Sequence, residues 1–204
     1  ANPALVAASE SVGCRQTRHR GTLGGNIANA SPAADTVPPL LAFDAQVKLV
    51  GKGSERSVPL EEFLVGPGET SLEAGKIIHS IIFSRLSGAW GAAFQKMGKR
   101  TGMAIAVVSV AVAVVLDTSG VVQDARVALG SVAPTVVRSP GAEKMLIGTE
   151  ADSRTIQDAA NAVVDDISPI SDVRSTAEYR GHAAQVLTRR ALEQAMEQAK
   201  GRLS

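Results

Sequence analysis

The stretch AIAVVSVAVAVVL, from Ala104 to Leu116, constrains the fold more than any other part of the chain. It is too short to cross a bilayer, which takes about 20 consecutive apolar residues in a helix. It is rich in valine, whose branched side chain favours strands, and it runs directly into DTSG, a turn sequence. The stretch therefore reads as a buried strand that turns into a hairpin. AAFQKMGKR before it and VVQDARVALGSV after it read as antiparallel partners, which predicts a three-stranded sheet. Helices follow in GAEKMLIG, in RTIQDAANAVVDDI and in a long segment over 175–200. The long segment carries Ala183, Val186, Leu187, Ala191 and Leu192 on a helical stripe, and the charges of its RGHAAQVLTRR read as a solvated face.

The earlier part of the chain is differently built. A short helix is expected over 3–12, then a glycine-rich loop, then a helix over 36–43. Asp35 stands where an N-cap would, and Pro38 and Pro39 fall in the first turn, where proline is tolerated. AQVKLVG and ERSVPL flank GKGS, a hairpin signal; LEEFLVGPG reads as a short helix ending at a turn, and KIIHSIIF as a strand. The character changes around SRLSGAW, which predicts a boundary between 1–86 and 87–204. Both parts read as α+β, and neither a repeat nor a low-complexity linker is present.

Composition removes several function classes. At 204 residues with 45% hydrophobic side chains the chain is globular in kind. Its 21 basic and 20 acidic residues leave a net charge of +1, and aromatics are only 3%, so neither electrostatics nor base stacking points to nucleic acid. Cys14 is the only cysteine, so no disulfide forms within the chain, which fits a reducing cytoplasm. One thiolate also falls short of the four that an iron–sulfur cluster usually takes. His19, His79 and His182 lie too far apart for metal-ligand spacing and read as surface or structural residues. The N-terminus shows no basic segment followed by an apolar run, so no signal peptide is visible; it lacks an initiator Met and starts inside a helix, as a piece of a longer protein would.

GTLGGNIANASPAAD, Gly21 to Asp35, is the stretch that carries chemistry. Gly21, Gly24 and Gly25 remove side chains where a backbone turns with positive φ or approaches something closely. One reading is a tight loop between two elements; the other is a loop whose bare N–H groups cradle an anion. It is neither the G-x-G-x-x-G dinucleotide fingerprint nor a P-loop, and no G-x-S-x-G nucleophile occurs in the chain. Thr22 and Asn26 add a hydroxyl and an amide to the bare backbone of Gly24 and Gly25, a donor set suited to a pyrophosphate. Asp35 either accepts from a ribose or ribityl hydroxyl or simply caps the next helix.

RHRGTLGGNIANASPAADTVPPLLAFDA resembles the second flavin-binding motif of the FAD subunit of molybdenum hydroxylases, the group of the carbon monoxide dehydrogenase medium subunit and the xanthine dehydrogenase FAD domain. The similarity continues in order through RSVPLEEFLVGPGET, FQKMGKR, AIAVVSVAVAV, ARVALGSVAPTVVR and ISDVRSTAEYRGHAAQVLTRRAL. It implies the second part of a vanillyl-alcohol-oxidase-type FAD domain in 1–86, then the C-terminal α+β domain of these subunits in 87–204. Carried over by position, Thr22, Leu23, Gly24, Gly25 and Asn26 match the loop that holds the FAD pyrophosphate. Asn29 and Asp35 match two further FAD contacts, Ile78 an apolar wall against the cofactor, and Lys96 a lysine lining the flavin site. No catalytic acid or base is implied, because the cofactor does the chemistry.

The resemblance further implies that FAD takes electrons from 2Fe-2S clusters on an iron–sulfur small subunit, which a molybdenum-binding large subunit supplies. FAD then passes them to NAD or another acceptor. Thr17 and His19 stand where Ile or Val and Asn are common, and Gly75-Lys76 replaces Glu-Leu before Ile78. The first flavin motif, an A-G-G-T-like loop in an N-terminal subdomain, does not occur in these residues. A non-catalytic assembly subunit that no longer binds flavin is therefore the alternative expectation.

Overall fold

The computed structural model describes residues 2–203. Its centre is the valine-rich strand, β7 (Ala106–Leu116), paired antiparallel with β6 (Ala89–Gly98) on one side and β8 (Val122–Gly130) on the other. A two-residue strand, β9 (Val137–Arg138), extends the predicted three-stranded sheet to four at the β8 edge. The hairpin after β7 is closed by Asp117, whose Oδ1 accepts from the backbone N–H of Ser119 and Val121 at 2.8 and 3.0 Å. Gly120 supplies the left-handed residue at φ +88°.

Strand alternation lets β7 serve two cores at once. Val108, Val110, Val112 and Val114 point into one core, with Leu187, Leu192 and Met196 of the long helix α8 (Ala177–Lys200). Ala111 and Ala113 point the other way, into a core with Leu40 and Leu41 of α4 (Val37–Ala42). Large residues face one helix and small ones the other, so the strand is apolar but for the buried Ser109. The helix α8 lies close on β6 because Gly91 has no side chain: a Cβ there would overlap the backbone carbonyl of Ala195. The helices α6 (Pro140–Leu146) and α7 (Ser153–Ala162), with a 3₁₀ turn over Val163–Asp166, complete this layer. The long helix begins two residues after the expected 175, because the Thr176 hydroxyl accepts from Tyr179 N and caps it. Of its expected apolar stripe, Val186 is only half-buried.

In the first part, β1 (Gln46–Gly51) pairs with β2 (Ser54–Pro59) through the GKGS turn and with β5 (Lys76–Ile82) on its other side. A short helix, α5 (Leu60–Phe63), leads to a small ribbon of β3 (Leu64–Gly66) and β4 (Glu69–Thr70). The helix α1 (Pro3–Ser11) is capped by Asn2, whose Oδ1 accepts from Leu5 N at 3.1 Å. The two parts share a core: Ala92, Ala128 and Val136 join Ile27, Phe43 and Phe63. Asp44, which follows α4, forms ion pairs with Arg126 and Arg138 at 2.7 and 2.9 Å across the same seam.

Candidate flavin site

The expected glycine-rich loop is largely helical. Cys14 precedes α2 (Arg15–Arg20), Gly21 closes it, and α3 (Leu23–Ala28) follows at once. The physical reason is Thr22, whose extended backbone and hydroxyl make it an N-cap: Oγ1 accepts from Gly25 N at 2.9 Å. None of Gly21, Gly24 and Gly25 has positive φ, so the glycines do not serve a left-handed turn here. Gly21 and Gly25 sit where a side chain would be crowded, whereas Gly24 has room for one. A Cβ at Gly25 would sit 3.0 Å from Thr22 Oγ1 on an exposed face, and one at Gly24 would point at Ile78 Cγ2, 3.7 Å away.

With Gly25 N and Asn26 N committed to Thr22, the Leu23 and Gly24 N–H groups in the first turn have no acceptor among the described residues. Of the two, Leu23 lies on the wall of a cavity of about 600 Å3, together with Thr22, Gly25, Asn26 and Asn29. Asn26 is oriented by Thr36, whose hydroxyl donates to Asn26 Oδ1 at 2.7 Å. Its amide nitrogen has no partner among the described residues and stands on the wall shared with a second cavity, of about 540 Å3. Asn29 ends α3 on the same shared wall.

Asp35 borders the second cavity and is buried. It is not the N-cap of α4; that position is Thr36, which makes no side-chain cap bond there. The Asp35 carboxylate turns away from the helix because Lys96, on β6, reaches it: Nζ to Oδ2 is 2.5 Å. Lys96 Nζ also donates to the Ser11 carbonyl at the end of α1, at 3.2 Å. The other carboxylate oxygen, Oδ1, is buried with no hydrogen-bond partner among the described residues. Burial raises the Asp35 carboxyl above the ordinary carboxylate range, and the hydrogen bond and charge of Lys96, with a smaller contribution from Ser11, oppose it.

The structure thus places the carried-over residues in three settings. Thr22, Leu23, Gly25, Asn26 and Asn29 share one cavity, and Asp35 and Lys96 meet as an ion pair. Ile78 lies behind α3, half-buried against the shared core and facing Gly24. Thr36, which orients Asn26, and Ser11, which anchors Lys96, escaped the sequence reading. Their partners lie 10 and 85 residues away along the chain, and no local pattern marks such pairs.

This donor set fits FAD. The Leu23 N–H and the Asn26 amide stand on the wall of a cavity that Gly25 also lines, and among the described residues no Asp or Glu lines it. Among the described residues no three His, Cys, Asp or Glu side chains are grouped to hold a metal, and no helix is long and apolar enough to cross a membrane.

Comparison with known proteins agrees with this geometry. Residues 1–85 match the FAD binding domain in molybdopterin dehydrogenase, and residues 92–195 match the CO dehydrogenase flavoprotein C-terminal domain. The chain is 33% identical to the xanthine dehydrogenase FAD-binding subunit of Escherichia coli O157:H7, over 98% of its own length and 69% of that protein. It is 32% identical to the carbon monoxide dehydrogenase medium chain of Hydrogenophaga pseudoflava, over 95% of its own length and 67% of that protein. Among solved structures, carbon monoxide dehydrogenase from Hydrogenophaga pseudoflava superposes with a TM-score of 0.90 at 32% identity, covering 96% of this chain and 67% of that one. Quinoline 2-oxidoreductase from Pseudomonas putida 86 gives 0.86 at 27% identity, covering 97% of this chain and 67% of that one. The chain belongs to the family of FAD-binding medium subunits of the molybdenum hydroxylases.

Proposed function

We propose that this chain seats FAD as the electron-transfer component of a molybdenum hydroxylase. The Leu23 and Gly24 N–H groups, the Asn26 amide and the Thr22 hydroxyl hold the pyrophosphate, and Asp35 and Lys96 stand at the cofactor's far end. When bound, FAD supplies the redox chemistry, accepting electrons from 2Fe-2S clusters on a partner chain and releasing them to NAD or another acceptor. Cys14, the single cysteine, supports placing those clusters on another subunit. A molybdenum-binding large subunit and an iron–sulfur small subunit are the partners on this reading, in the cytoplasm, with the division of the chain at 86/87. The family's first flavin motif, which does not occur in these residues, would supply the rest of the cradle.

The residues themselves do structural work in the reaction. Thr22 holds Gly25 N so that the neighbouring N–H groups stay directed outward. Thr36 fixes the Asn26 amide. Lys96 and Asp35 keep a charged, dry pair beside the cofactor, where fixed charges act strongly.

The observation that carries the reading is the shared wall: Thr22, Leu23, Gly25, Asn26 and Asn29 line one space, and Asn26, Asn29 and Asp35 line the next. Its test is the visible spectrum of the complete subunit, with FAD identified after denaturation. A yellow protein whose flavin is lost in Gly25→Val supports the seat. A colourless subunit that still co-purifies with its partner chains would establish the assembly-subunit alternative instead.

A further inference from the structure

The cavity in front of α3 is bounded on another side by α2, and α2 is rich in basic side chains. Arg15, Arg18, His19 and Arg20 occur within this one helix, with no acid among them. Arg18 and Arg20 both line the cavity of about 600 Å3, and no Asp or Glu does. Arg18 is held in place by donating Nη1 to the Val12 carbonyl at 3.0 Å. Arg20 is exposed and makes no hydrogen bond or ion pair among the described residues. Arg126, Arg138, Arg174 and Arg180 are engaged by carboxylates. Arg15, Arg85 and Arg190 resemble Arg20 in making no hydrogen bond or ion pair among the described residues, but of these four only Arg20 lines this cavity. An unengaged guanidinium on the wall of an acid-free cavity lacks a counter-charge.

We propose that Arg20, with Arg18 beside it, is a further FAD-binding residue that supplies the counter-charge to the pyrophosphate. The inference rests on the FAD reading of the site and adds to it a determinant of ligand choice. A guanidinium presents paired donors matched to phosphate oxygens, so Arg20 favours a flavin carrying phosphate over one that carries none. Because Arg20 is exposed, its contribution is screened by salt, unlike the N–H donors and the amide of α3.

The test compares the complete subunit, stripped of cofactor, with its Arg20→Gln, Arg20→Lys and Arg15→Gln variants, titrated with FAD and with riboflavin at low and high salt. Arg20→Gln should weaken FAD binding about tenfold at low salt, with the loss shrinking at high salt. Riboflavin, which has no phosphate, should bind the variant and the parent alike. Arg20→Lys should keep most of the affinity, and Arg15→Gln, outside the cavity wall, should keep all of it. Thermal unfolding without ligand should be the same for all four proteins, since Arg20 holds nothing in the fold. Unchanged FAD binding in Arg20→Gln, equal losses for FAD and riboflavin, or an equal loss in Arg15→Gln would each overturn the inference while leaving the FAD seat intact. A parent subunit that takes up no FAD at all would overturn both.

Discussion

Lys96 Nζ lies 2.5 Å from Asp35 Oδ2, and both side chains are largely buried, at 11% and 10% exposure. On the proposed reading each serves the flavin site, yet each is also the other's charge partner. Their functional and structural roles therefore cannot be separated by a single substitution.

Lys96→Met should destabilise the fold as well as perturb the flavin. A lysine serving the cofactor alone would leave the melting temperature unchanged, but here its removal strands a buried carboxylate, at a cost of about 2–4 kcal/mol. The sign of the pH dependence follows from Asp35. Its carboxyl is already raised by burial, and without Lys96 it rises further. A folded-state pKa above the unfolded one makes stability fall as pH rises from about 3.9 through the raised value. The variant's deficit should be larger at pH 7 than at pH 4 in urea unfolding, and adding Asp35→Asn should recover part of it. Equal deficits at both pH values would show that the pair is not what holds these side chains.

Gly25→Val and Thr22→Val should separate binding from folding. Gly25 is helical and exposed, so valine there costs little backbone energy, but its methyls enter the cavity and crowd Thr22 Oγ1. FAD affinity should fall by at least about 100-fold if two charge-assisted hydrogen bonds are lost, with only a small change in melting temperature. Thr22→Val removes the cap on α3 and should cost about 1 kcal/mol of stability, with Thr22→Ser retaining it. Flavin content and thermal melts on the three variants check both statements.

The acid limb of the stability curve should depend on Asp172. Backbone N–H of Arg174, with the guanidinium of Arg180 and the N–H of Ser175, holds its carboxyl well below the usual carboxylate range. A depressed folded-state pKa contributes stability above about 3.9 that is lost as pH falls below it. Asp172→Asn should therefore flatten the fall in stability below pH 4. Arg180, almost fully buried, also donates to the carbonyls of Val107 and Ser131 at 2.6 and 3.0 Å. Arg180→Met should lose about 3–5 kcal/mol, measured by denaturant unfolding.

Gly91→Ala tests the seating of the long helix. A single Cβ there overlaps the Ala195 carbonyl, which is main chain and yields only if α8 moves off the sheet. The expected loss is about 2 kcal/mol or more, whereas Gly181→Ala, in open space on the same helix, should be neutral or stabilising. Equal melting temperatures for the two variants would show that α8 shifts freely.

Periodicity and turn chemistry were enough to read most of the architecture from the sequence. The valine run marked β7, DTSG its hairpin, GKGS the turn between β1 and β2, and the apolar stripe the long helix, because each signal is local and repeats with the period of the element. The stretch Thr22 to Asn26 reads as a loop in sequence, whereas Thr22 caps a helix there. What the tertiary structure alone decided is which groups remain free. Thr22 Oγ1 accepts the cap bond of α3 and keeps its O–H to donate, Asn26 is turned by Thr36, and Asp35 gives up the cap to meet Lys96 from β6. The two faces of β7 likewise reveal their division of labour only when α8 and α4 arrive on opposite sides. Hydrogen bonds and ion pairs join whatever folding brings within about 3 Å, and that proximity is a property of the packed chain, which no short window of sequence contains.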